Sequence, residues 1–393
     1  MVRAQKGRVP CALGPTEPFV LGPTEYRAAV VERSPFPYQG PLLPEQVSGR
    51  DDVARDLAER LVDRRLTALL GPRRYGKTSL LKRVTSDLAG VGPDTVWIDL
   101  YELSSMADLA AAIDRGLAGV TGPVRRVLDS VAGSLSLHLG VVGMALTKGG
   151  RDRPDPVLTV RALLEVLVRT AQRRELNVVF DEFSGIADVK GAAGLLRTGL
   201  QHHYQDLGIV FAGSQPSTMR TLFTDQAQPF FAQADLVELG PLDTESVVAI
   251  IEDGFAGTRR STGGVTSRVA AFVEGHPQRA MQLADAVWRL TPEGGEAGDE
   301  TWEEALADVR ASVDSGSERL FALMPSGHQK TLRAVAGGGS VYGTAADVVD
   351  LAPGTAKAAV DALIGNGYLS RRNGRLVVVD PLLADWIRRR FPV

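Results

Sequence analysis

Hydrophobic and polar positions divide most of the chain into short apolar runs separated by stretches with helical spacing. Runs typical of buried strands occupy residues 66–70, 95–100, 176–183, 209–212 and 236–239. Between them, apolar residues recur three and four positions apart, as in residues 78–84, 105–117 and 158–174. Because alternating strands and helices form parallel sheets covered by helices, the pattern predicts an α/β fold with a central parallel sheet.

Residues 120–156 interrupt this alternation with Gly, Ser and short polar–apolar steps, which indicates an insertion in the α/β core. The most membrane-like part of the chain, residues 131–147, contains His138, Ser134 and Ser136. It is shorter than the roughly 20 predominantly apolar residues that a transmembrane helix needs. We therefore expect buried strand structure there.

The spacing becomes helical after the fifth apolar run. Three helices are predicted at residues 244–255, 265–274 and 277–290. Pro277 suits the first turn of the third helix, because its missing N–H would be unpaired there in any case. Residues 291–304 are acidic and contain three glycines, which indicates a linker.

The C-terminal part of the chain has the pattern of a winged helix-turn-helix. Helices are predicted at residues 329–336, 344–351 and 355–364. A hairpin follows around Asn373-Gly374, a dipeptide typical of two-residue turns between antiparallel strands. Residues 381–390 then predict a closing helix.

Residues 71–78 have the sequence GPRRYGKT, which fits the phosphate-binding pattern G-x-x-x-x-G-K-[ST] between a predicted strand and a predicted helix. The glycines allow a tight turn whose N–H groups point at phosphates. Lys77 is predicted to reach the β- and γ-phosphates, and Thr78 to hold Mg²⁺. The residues expected to bind nucleotide here are Gly71, Pro72, Arg73, Arg74, Tyr75, Gly76, Lys77, Thr78 and Ser79. For the pattern alone, the alternative is a glycine-rich turn without a ligand.

The third apolar run contains Asp181-Glu182, the Walker B pattern that completes a nucleotide site. Asp181 is predicted to hold Mg²⁺, directly or through a water, and Glu182 to orient and polarise the attacking water. The alternative is that the two acidic residues start and cap a helix.

Further residues are candidates for contacting the nucleotide. Ser214 follows the fourth apolar run, and either Ser214 or Gln215 is predicted to sense the γ-phosphate; the alternative is that Gly213-Ser214 form the turn into the next helix. Arg279 lies two residues after Pro277 and is predicted to reach back to the nucleotide, the alternative being a solvated side chain.

Composition narrows the classes of function. The 393-residue chain has a net charge of −3, so no global attraction to nucleic acid or anionic membrane is expected. The single cysteine, Cys11, excludes an internal disulfide framework and a cysteine metal cluster. The five histidines form no zinc-spaced pair with acidic partners, so nucleotide-bound Mg²⁺ is the one metal expected. The first residues lack the apolar stretch of a signal peptide, and we expect a cytoplasmic protein without membrane association.

The patterns together predict four regions. Residues 1–47 are a Pro- and Gly-rich N-terminal extension, and residues 48–242 are a P-loop ATPase core that includes the insertion. Residues 243–304 form a helical lid and the acidic linker, and residues 305–393 form the winged helix domain.

With these motifs in place, the chain resembles the archaeal-type AAA ATPases of the STAND class. The resemblance rests on the P-loop and Asp181-Glu182, which are specific when found together. Residues 212–214, 275–277 and 380–386 also match but are less specific. It implies a P-loop ASCE-type parallel sheet in the order 5-1-4-3-2, a helical lid, a C-terminal winged helix and a nucleotide-driven conformational switch. Many members carry a Tyr-Gly-Arg segment before the fifth strand, where this chain has residues 229–233 without arginine. Slow or partner-stimulated hydrolysis is therefore expected.

The leading hypothesis is an Mg²⁺-dependent ATP hydrolase in which ATP and ADP control the lid and the winged helix domain, in regulation or signalling. Preference for ATP over GTP is implied by the resemblance. The expected partners are a protein bound through the lid or winged helix, and further copies of the chain on nucleotide binding.

The alternative hypothesis is a nucleotide-regulated DNA-binding protein similar to the archaeal origin-recognition initiators. Residues 355–364 offer few side chains that read base edges, whereas Lys357 and the wing arginines suit phosphate contacts. A scaffold that holds nucleotide without hydrolysing it is the third hypothesis.

Overall fold

The computed structural model describes residues 32–90, 92–135 and 155–393. Within them, one parallel sheet is formed by β1 (Thr67–Leu70), β2 (Asp94–Asp99), β3 (Leu176–Asp181), β4 (Leu207–Gly213) and β5 (Asp235–Glu238). The strand order is β2-β3-β4-β1-β5. This confirms the predicted α/β fold, and the order is the one expected, counted from the opposite edge.

The central strands are long apolar runs because both faces of the sheet are covered. Every residue of β3 and β4 is buried, whereas three of the four residues of the edge strand β5 are exposed. The carboxyl ends of β1, β3 and β4 meet at the centre of one edge of the sheet. In open α/β sheets, ligands bind in the crevice outside these strand ends.

The helices that accompany the sheet are α1 (Asp51–Val62), α2 (Lys77–Leu88), α3 (Met106–Ala118), α4 (Gly122–Ser134), α5 (Pro156–Ala171), α6 (Ala192–Leu200) and α7 (Pro216–Thr224). No helix in the described ranges has both the length and the apolarity to cross a membrane.

The expectation of strand structure from residue 131 is wrong where it can be compared with the structure. Residues 131–134 belong to α4, which buries Val124, Leu128 and Val131 on one face at helical spacing. The polar–apolar alternation that starts at Ser134 is typical of a strand. It hid the helical spacing of the apolar residues that precede it. The rest of that prediction, residues 136–147, lies outside the described residues.

The helical part that follows the sheet agrees closely with the sequence pattern up to residue 290. It contains α8 (Thr244–Ala256), α9 (Val265–Val273) and α10 (Pro277–Leu290). The stretch expected as an acidic linker is shorter than predicted, because α11 (Asp299–Ala322) begins inside it. Acidic residues in the first turn stabilise a helix through its dipole, and this helix begins with Asp299 and Glu300. Its Trp302 and Leu306 side chains are buried on one face.

The C-terminal residues form three helices, an antiparallel hairpin and a closing helix, the element order of a winged helix. The elements are α12 (Ser326–Ala336), α13 (Thr344–Val348), α14 (Pro353–Gly365), β6 (Leu369–Arg372), β7 (Arg375–Val378) and α15 (Pro381–Arg390). Asn373 and Gly374 both have positive φ, as the predicted two-residue turn requires. Arg310 of α11 binds both carboxylate oxygens of Asp385 in α15, at 2.8 and 2.9 Å.

Two contacts bring the outer parts of the chain onto the sheet. The Ser217 hydroxyl at the start of α7 donates to the Gly365 carbonyl at the end of α14, at 3.0 Å. Residues 34–46 pack along the lid helices, where Phe36 is buried against Phe255 with ring centroids 5.7 Å apart. This segment therefore lies close to the carboxyl edge of the sheet.

Candidate nucleotide site

The P-loop, residues 71–78, connects β1 to α2. Two of its residues have left-handed backbone conformations, which favour glycine. Arg74 and Gly76 have left-handed φ values of 67° and 85°. Gly71 has no room for a side chain, because an added Cβ would lie 2.9 Å from the Leu239 carbonyl oxygen. The first residue of α2 is Lys77, so the free N–H groups of this helix start point into the loop. Such a helix start binds phosphate.

Lys77 is a buried cation, and no carboxylate of the described residues is in hydrogen-bonding contact with it. Its ammonium group donates to the carbonyl oxygens of Gly71 and Pro72, at 2.8 and 3.0 Å. Burial lowers the pKa of Lys77 to about 8. The charges of Glu182 and Asp181 offset part of this effect, and a phosphate group would supply further negative charge.

The predicted metal ligands lie next to each other. The Thr78 hydroxyl donates to Asp181 Oδ2 at 2.9 Å, across the gap between α2 and the end of β3. Burial raises the pKa of Asp181, which indicates that its carboxylate has too little positive charge around it. A hydroxyl and a carboxylate beside a phosphate-binding helix start are the hard oxygen ligands that Mg²⁺ prefers, so the residues fit this ion.

Glu182 and Ser214 form a direct hydrogen-bonded pair at the ends of β3 and β4. Glu182 has a left-handed φ of 52°, and its carboxylate accepts from the Ser214 hydroxyl at 2.5 Å and from the Ser214 N–H at 3.3 Å. Glu182 caps no helix with its side chain, although a short 3₁₀ helix follows it. The following helix α7 begins only at Pro216, so the Ser214 hydroxyl is engaged with Glu182 rather than with a helix start.

These residues line one cleft with a volume of about 790 Å³. Its sequence-predicted members are Arg73, Arg74, Gly76, Lys77, Thr78, Ser79, Asp181, Glu182 and Ser214. Gly71 and Pro72 contribute the carbonyl oxygens that hold Lys77 and do not line the cleft themselves. The structure therefore brings together the residues of three separate motifs.

The wall opposite the phosphate-binding loop was missed by the sequence analysis. It is formed by the N-terminal segment and the start of α10, with Tyr38, Pro41, Leu42, Pro277 and Met281. The Leu42 N–H donates to the Ser79 hydroxyl at 3.0 Å, which fixes the segment to α2. Residues 34–42 have no helical or strand periodicity, so only their aromatic side chains signalled that they pack on something.

Arg279 does not line this cleft, in contrast to its predicted role. Its guanidinium forms a two-pronged pair with Asp380, at 2.5 and 3.0 Å, and donates to Gln282 at 2.6 Å. The preceding residue, Gln278, faces the cleft instead. Helical geometry turns successive side chains by about 100°, so one residue of offset decides which side chain faces the nucleotide site.

The Tyr75 side chain does not line the cleft either. It joins the P-loop to the C-terminal hairpin. Its hydroxyl accepts a hydrogen bond from Arg372 of β6 at 2.7 Å. Arg372 also donates to the Glu274 carbonyl at the end of α9, at 3.1 Å. The Tyr75 side chain is 2% exposed. The guanidinium group of Arg372, on the C-terminal hairpin, thus contacts both the P-loop and the end of α9 in the lid.

His276 completes this junction. Its ring lies edge-on to Tyr75, with ring centroids 5.0 Å apart, and its Nδ1 accepts from the Arg279 N–H at the start of α10. Burial lowers the pKa of His276 to about 4, so the ring is neutral at physiological pH. The neutral form is required, because a protonated Nδ1 could not accept this bond.

Comparison with known proteins gives matches in structure only. No protein-family model and no curated protein matches the chain. A Walker-type ATPase of Pyrococcus abyssi has a TM-score of 0.68 at 20% identity, over 90% of this chain and 99% of that chain. The ORC2 protein of Aeropyrum pernix, solved as ADPNP–ADP complexes, has a TM-score of 0.59 at 14% identity, over 90% and 96%. The ORC1 protein of Aeropyrum pernix in complex with DNA has a TM-score of 0.50 at 15% identity, over 91% and 97%. These similarities show that the chain has the P-loop fold of AAA+ proteins.

Proposed function

We propose that this protein is an Mg²⁺-dependent ATP-binding and ATP-hydrolysing switch, in which the nucleotide at the P-loop sets the position of the lid and the winged helix domain. The observation that carries the proposal is the hydrogen bond between Tyr75 of the P-loop and Arg372 of the wing. It makes the loop that binds phosphate a direct contact of the domain that would move. Membership of the STAND class is part of the same proposal.

Nucleotide binding is supported by a cleft whose two walls differ in chemistry. The phosphates would take the helix start of α2 and Lys77, and Thr78 and Asp181 would hold Mg²⁺. The base would lie between Leu42 and the lid residues Pro277 and Met281, which offer apolar surface. The similar ORC2 structure contains ADPNP and ADP, which supports adenine as the base.

Hydrolysis is supported by the position of Glu182 at the inner end of the cleft. Its carboxylate would orient a water for in-line attack on the γ-phosphate and accept its proton. Mg²⁺, when bound, would neutralise charge on the phosphate oxygens. Ser214 holds one carboxylate oxygen through two hydrogen bonds and also lines the cleft, so it would position Glu182 and respond to the γ-phosphate.

The switch is supported by the chain of contacts that leads away from the P-loop. A phosphate that draws the Tyr75 backbone inward competes with the hydrogen bond from Arg372. The start of α10, the third lid helix, is tied to the start of α15 by the Arg279–Asp380 pair. Movement of the loop would therefore be transmitted to both the lid and the wing.

The test is ATP turnover and ATP affinity in the wild type, Glu182→Gln and Lys77→Ala. We expect Glu182→Gln to bind ATP as tightly as the wild type and to lose at least a hundredfold in turnover. Lys77→Ala should lose ATP binding. Unchanged phosphate release in Glu182→Gln would contradict the catalytic assignment, and unchanged affinity in Lys77→Ala would contradict the site.

The second candidate, nucleotide-regulated DNA binding through α14, has weaker support. The exposed positions of this helix include Thr355, Lys357 and Asp361, which provide one cation and one anion. Its C-terminal end is engaged by Ser217 of the core. A duplex gel-shift titration at low salt, compared between the wild type and Lys357→Glu, would detect such binding.

A further inference from the structure

We propose that a second cleft, in the C-terminal domain, binds single-stranded nucleic acid. The cleft has a volume of about 710 Å³ and lies between the loop of residues 337–343, the β6–β7 hairpin and α15. Its basic residues are Arg371, Arg375 and Arg388, and an exposed aromatic residue, Tyr342, stands among them. No residue of this cleft belongs to the phosphate-binding site at the P-loop.

The arginines of this cleft are not neutralised within the described part of the chain. Arg371 and Arg375 are exposed and form no ion pair or hydrogen bond with any described residue. Arg388 donates only to the Ala336 carbonyl, at 3.3 Å. Three guanidinium groups around one concavity repel each other, and a polyanion would remove that cost.

The arginines next to Arg388 and Arg371 in the sequence form ion pairs, in contrast to the three that line the cleft. Arg388, Arg389 and Arg390 are consecutive at the end of α15. Of these, Arg389 forms an ion pair with Asp385 and Arg390 forms one with Asp314. The acidic residue that lines the cleft, Glu274, already faces Arg372 at 3.6 Å. The cleft therefore keeps the positive charge of Arg371, Arg375 and Arg388, whereas their sequence neighbours are neutralised.

Tyr342 favours nucleic acid over an acidic polypeptide. Its side chain is 61% exposed, on a loop that begins with Gly338 and Gly339, so core packing does not explain it. An exposed aromatic ring beside unpaired arginines provides both a surface on which bases stack and cations for the backbone phosphates. This combination binds single strands, because their bases are free to stack on a side chain.

The shape favours a single strand over a duplex. A concave cleft admits one strand, whereas base reading in a duplex needs an element that enters a groove. The exposed side chains of α14, including Thr355, Lys357 and Asp361, do not line this cleft. Single-strand binding thus shares the wing arginines with the second candidate function but does not use the exposed face of α14, and it needs no nucleotide at the P-loop.

The experiment uses the full-length protein without nucleotide and a fluorescein-labelled 20-nucleotide single strand of mixed sequence, with binding followed by anisotropy at 50 and 200 mM salt. Arg375→Ala/Arg388→Ala should weaken binding at least tenfold and lower the salt slope by about 1.4, since each phosphate contact to a single strand contributes about 0.7. Tyr342→Ala should weaken binding about tenfold. Lys357→Glu is the matched control on α14 and should change affinity less than twofold. Unchanged ATP affinity in each variant shows that the chain is folded.

Four outcomes would overturn the proposal. The first is equal affinity of the arginine double variant and the wild type. The second is a larger loss in Lys357→Glu, which would place binding on α14. The third is tighter binding of a duplex of the same sequence. The fourth is equal competition by polyglutamate at matched charge, which would identify an acidic polypeptide as the occupant.

Discussion

At the scale of single residues, the site depends on charges that are buried before any ligand arrives. Lys77 is 5% exposed and its ammonium group donates to two backbone carbonyls, so burial makes its charged form costly in the absence of nucleotide. Bound phosphates would stabilise that charge and raise its pKa. In the proposed function, nucleotide binding would therefore be coupled to the protonation of Lys77.

This coupling predicts a pH dependence of ATP binding. Below pH 8, Lys77 is already charged and the affinity should be nearly constant. As the pH rises above about 8, the free protein loses the proton that the complex keeps, so ATP affinity should fall and binding should take up a proton. Calorimetry at pH 8.5 in two buffers of different ionisation enthalpy measures this uptake. Proton uptake that persists in Lys77→Arg would contradict the assignment, because a guanidinium stays charged.

Ser214 allows a second prediction about a single residue. Its hydroxyl holds the Glu182 carboxylate, so Ser214→Ala should lower turnover about tenfold and leave ATP affinity unchanged. The measurement is steady-state phosphate release together with a nucleotide titration. Thr218→Ala, a hydroxyl deletion in α7 whose partner is Gln215, is the control and should retain wild-type turnover. Wild-type turnover in Ser214→Ala would refute the positioning role.

At the scale of elements, the N-terminal segment closes the site from the side of the lid. It is positioned by Phe36, which packs against α8 so closely that a Cβ added to Gly254 would lie 2.4 Å from the Phe36 ring. Gly254 is therefore required by close approach of the segment. The segment in turn places Tyr38 and Leu42 against the cleft.

Gly254→Ala should displace the segment and weaken ATP affinity about tenfold, because one wall of the cleft is lost. Gly257→Ala in the same helical region is the matched control, since an added Cβ there meets nothing closer than 3.9 Å. Both changes replace glycine by alanine near the end of one helix. Equal ATP affinities of the two variants in a fluorescent-nucleotide titration would contradict the role of the segment.

The start of α10 gives a prediction about stability. His276 has a pKa of about 4 in the folded protein and about 6.5 when unfolded, so the unfolded chain binds more protons between these values. The free energy of unfolding should fall by about 3 kcal/mol as the pH drops from 6.5 to 4. Asp380, whose pKa is lowered by Arg279, stays ionised through this window. His276→Asn keeps a capping side chain and should reduce this pH dependence in urea titrations; an unchanged dependence would exclude His276 as its source.

The sequence pattern predicted the helices and strands wherever the periodic stretch of apolar residues was long. It failed where the periodic stretch was short or absent. The five strands and α8–α10 follow from continuous apolar runs and amphipathic spacing. The helix at Val131 was mistaken for a strand because a few serines imitated alternation. The motif residues were recognised because their chemistry depends on local spacing. Tyr38, Gln278 and the outward turn of Tyr75 depend on tertiary packing, which no local pattern contains.

At the scale of the whole molecule, one junction connects the P-loop to the lid helices and to the C-terminal hairpin. Arg372 bonds Tyr75 and Glu274, and the Arg279–Asp380 pair ties the lid to the last helix. A hydrogen bond that involves a charged donor contributes about 1.5–3 kcal/mol. A contact of this size can shift a two-state equilibrium about tenfold or more, which is enough to bias a switch.

In the proposed switch, nucleotide at the P-loop is sensed at the wing through Tyr75 and Arg372. The most direct measurement is hydrogen–deuterium exchange of residues 369–378 in Glu182→Gln, with and without ATP and Mg²⁺. Protection of residues 71–79 reports that ATP is bound in each sample. We predict that ATP increases exchange in the hairpin, and that Arg372→Ala in the same background raises exchange without ATP and removes the difference. Identical hairpin exchange with and without ATP, while the P-loop is protected, would contradict the switch.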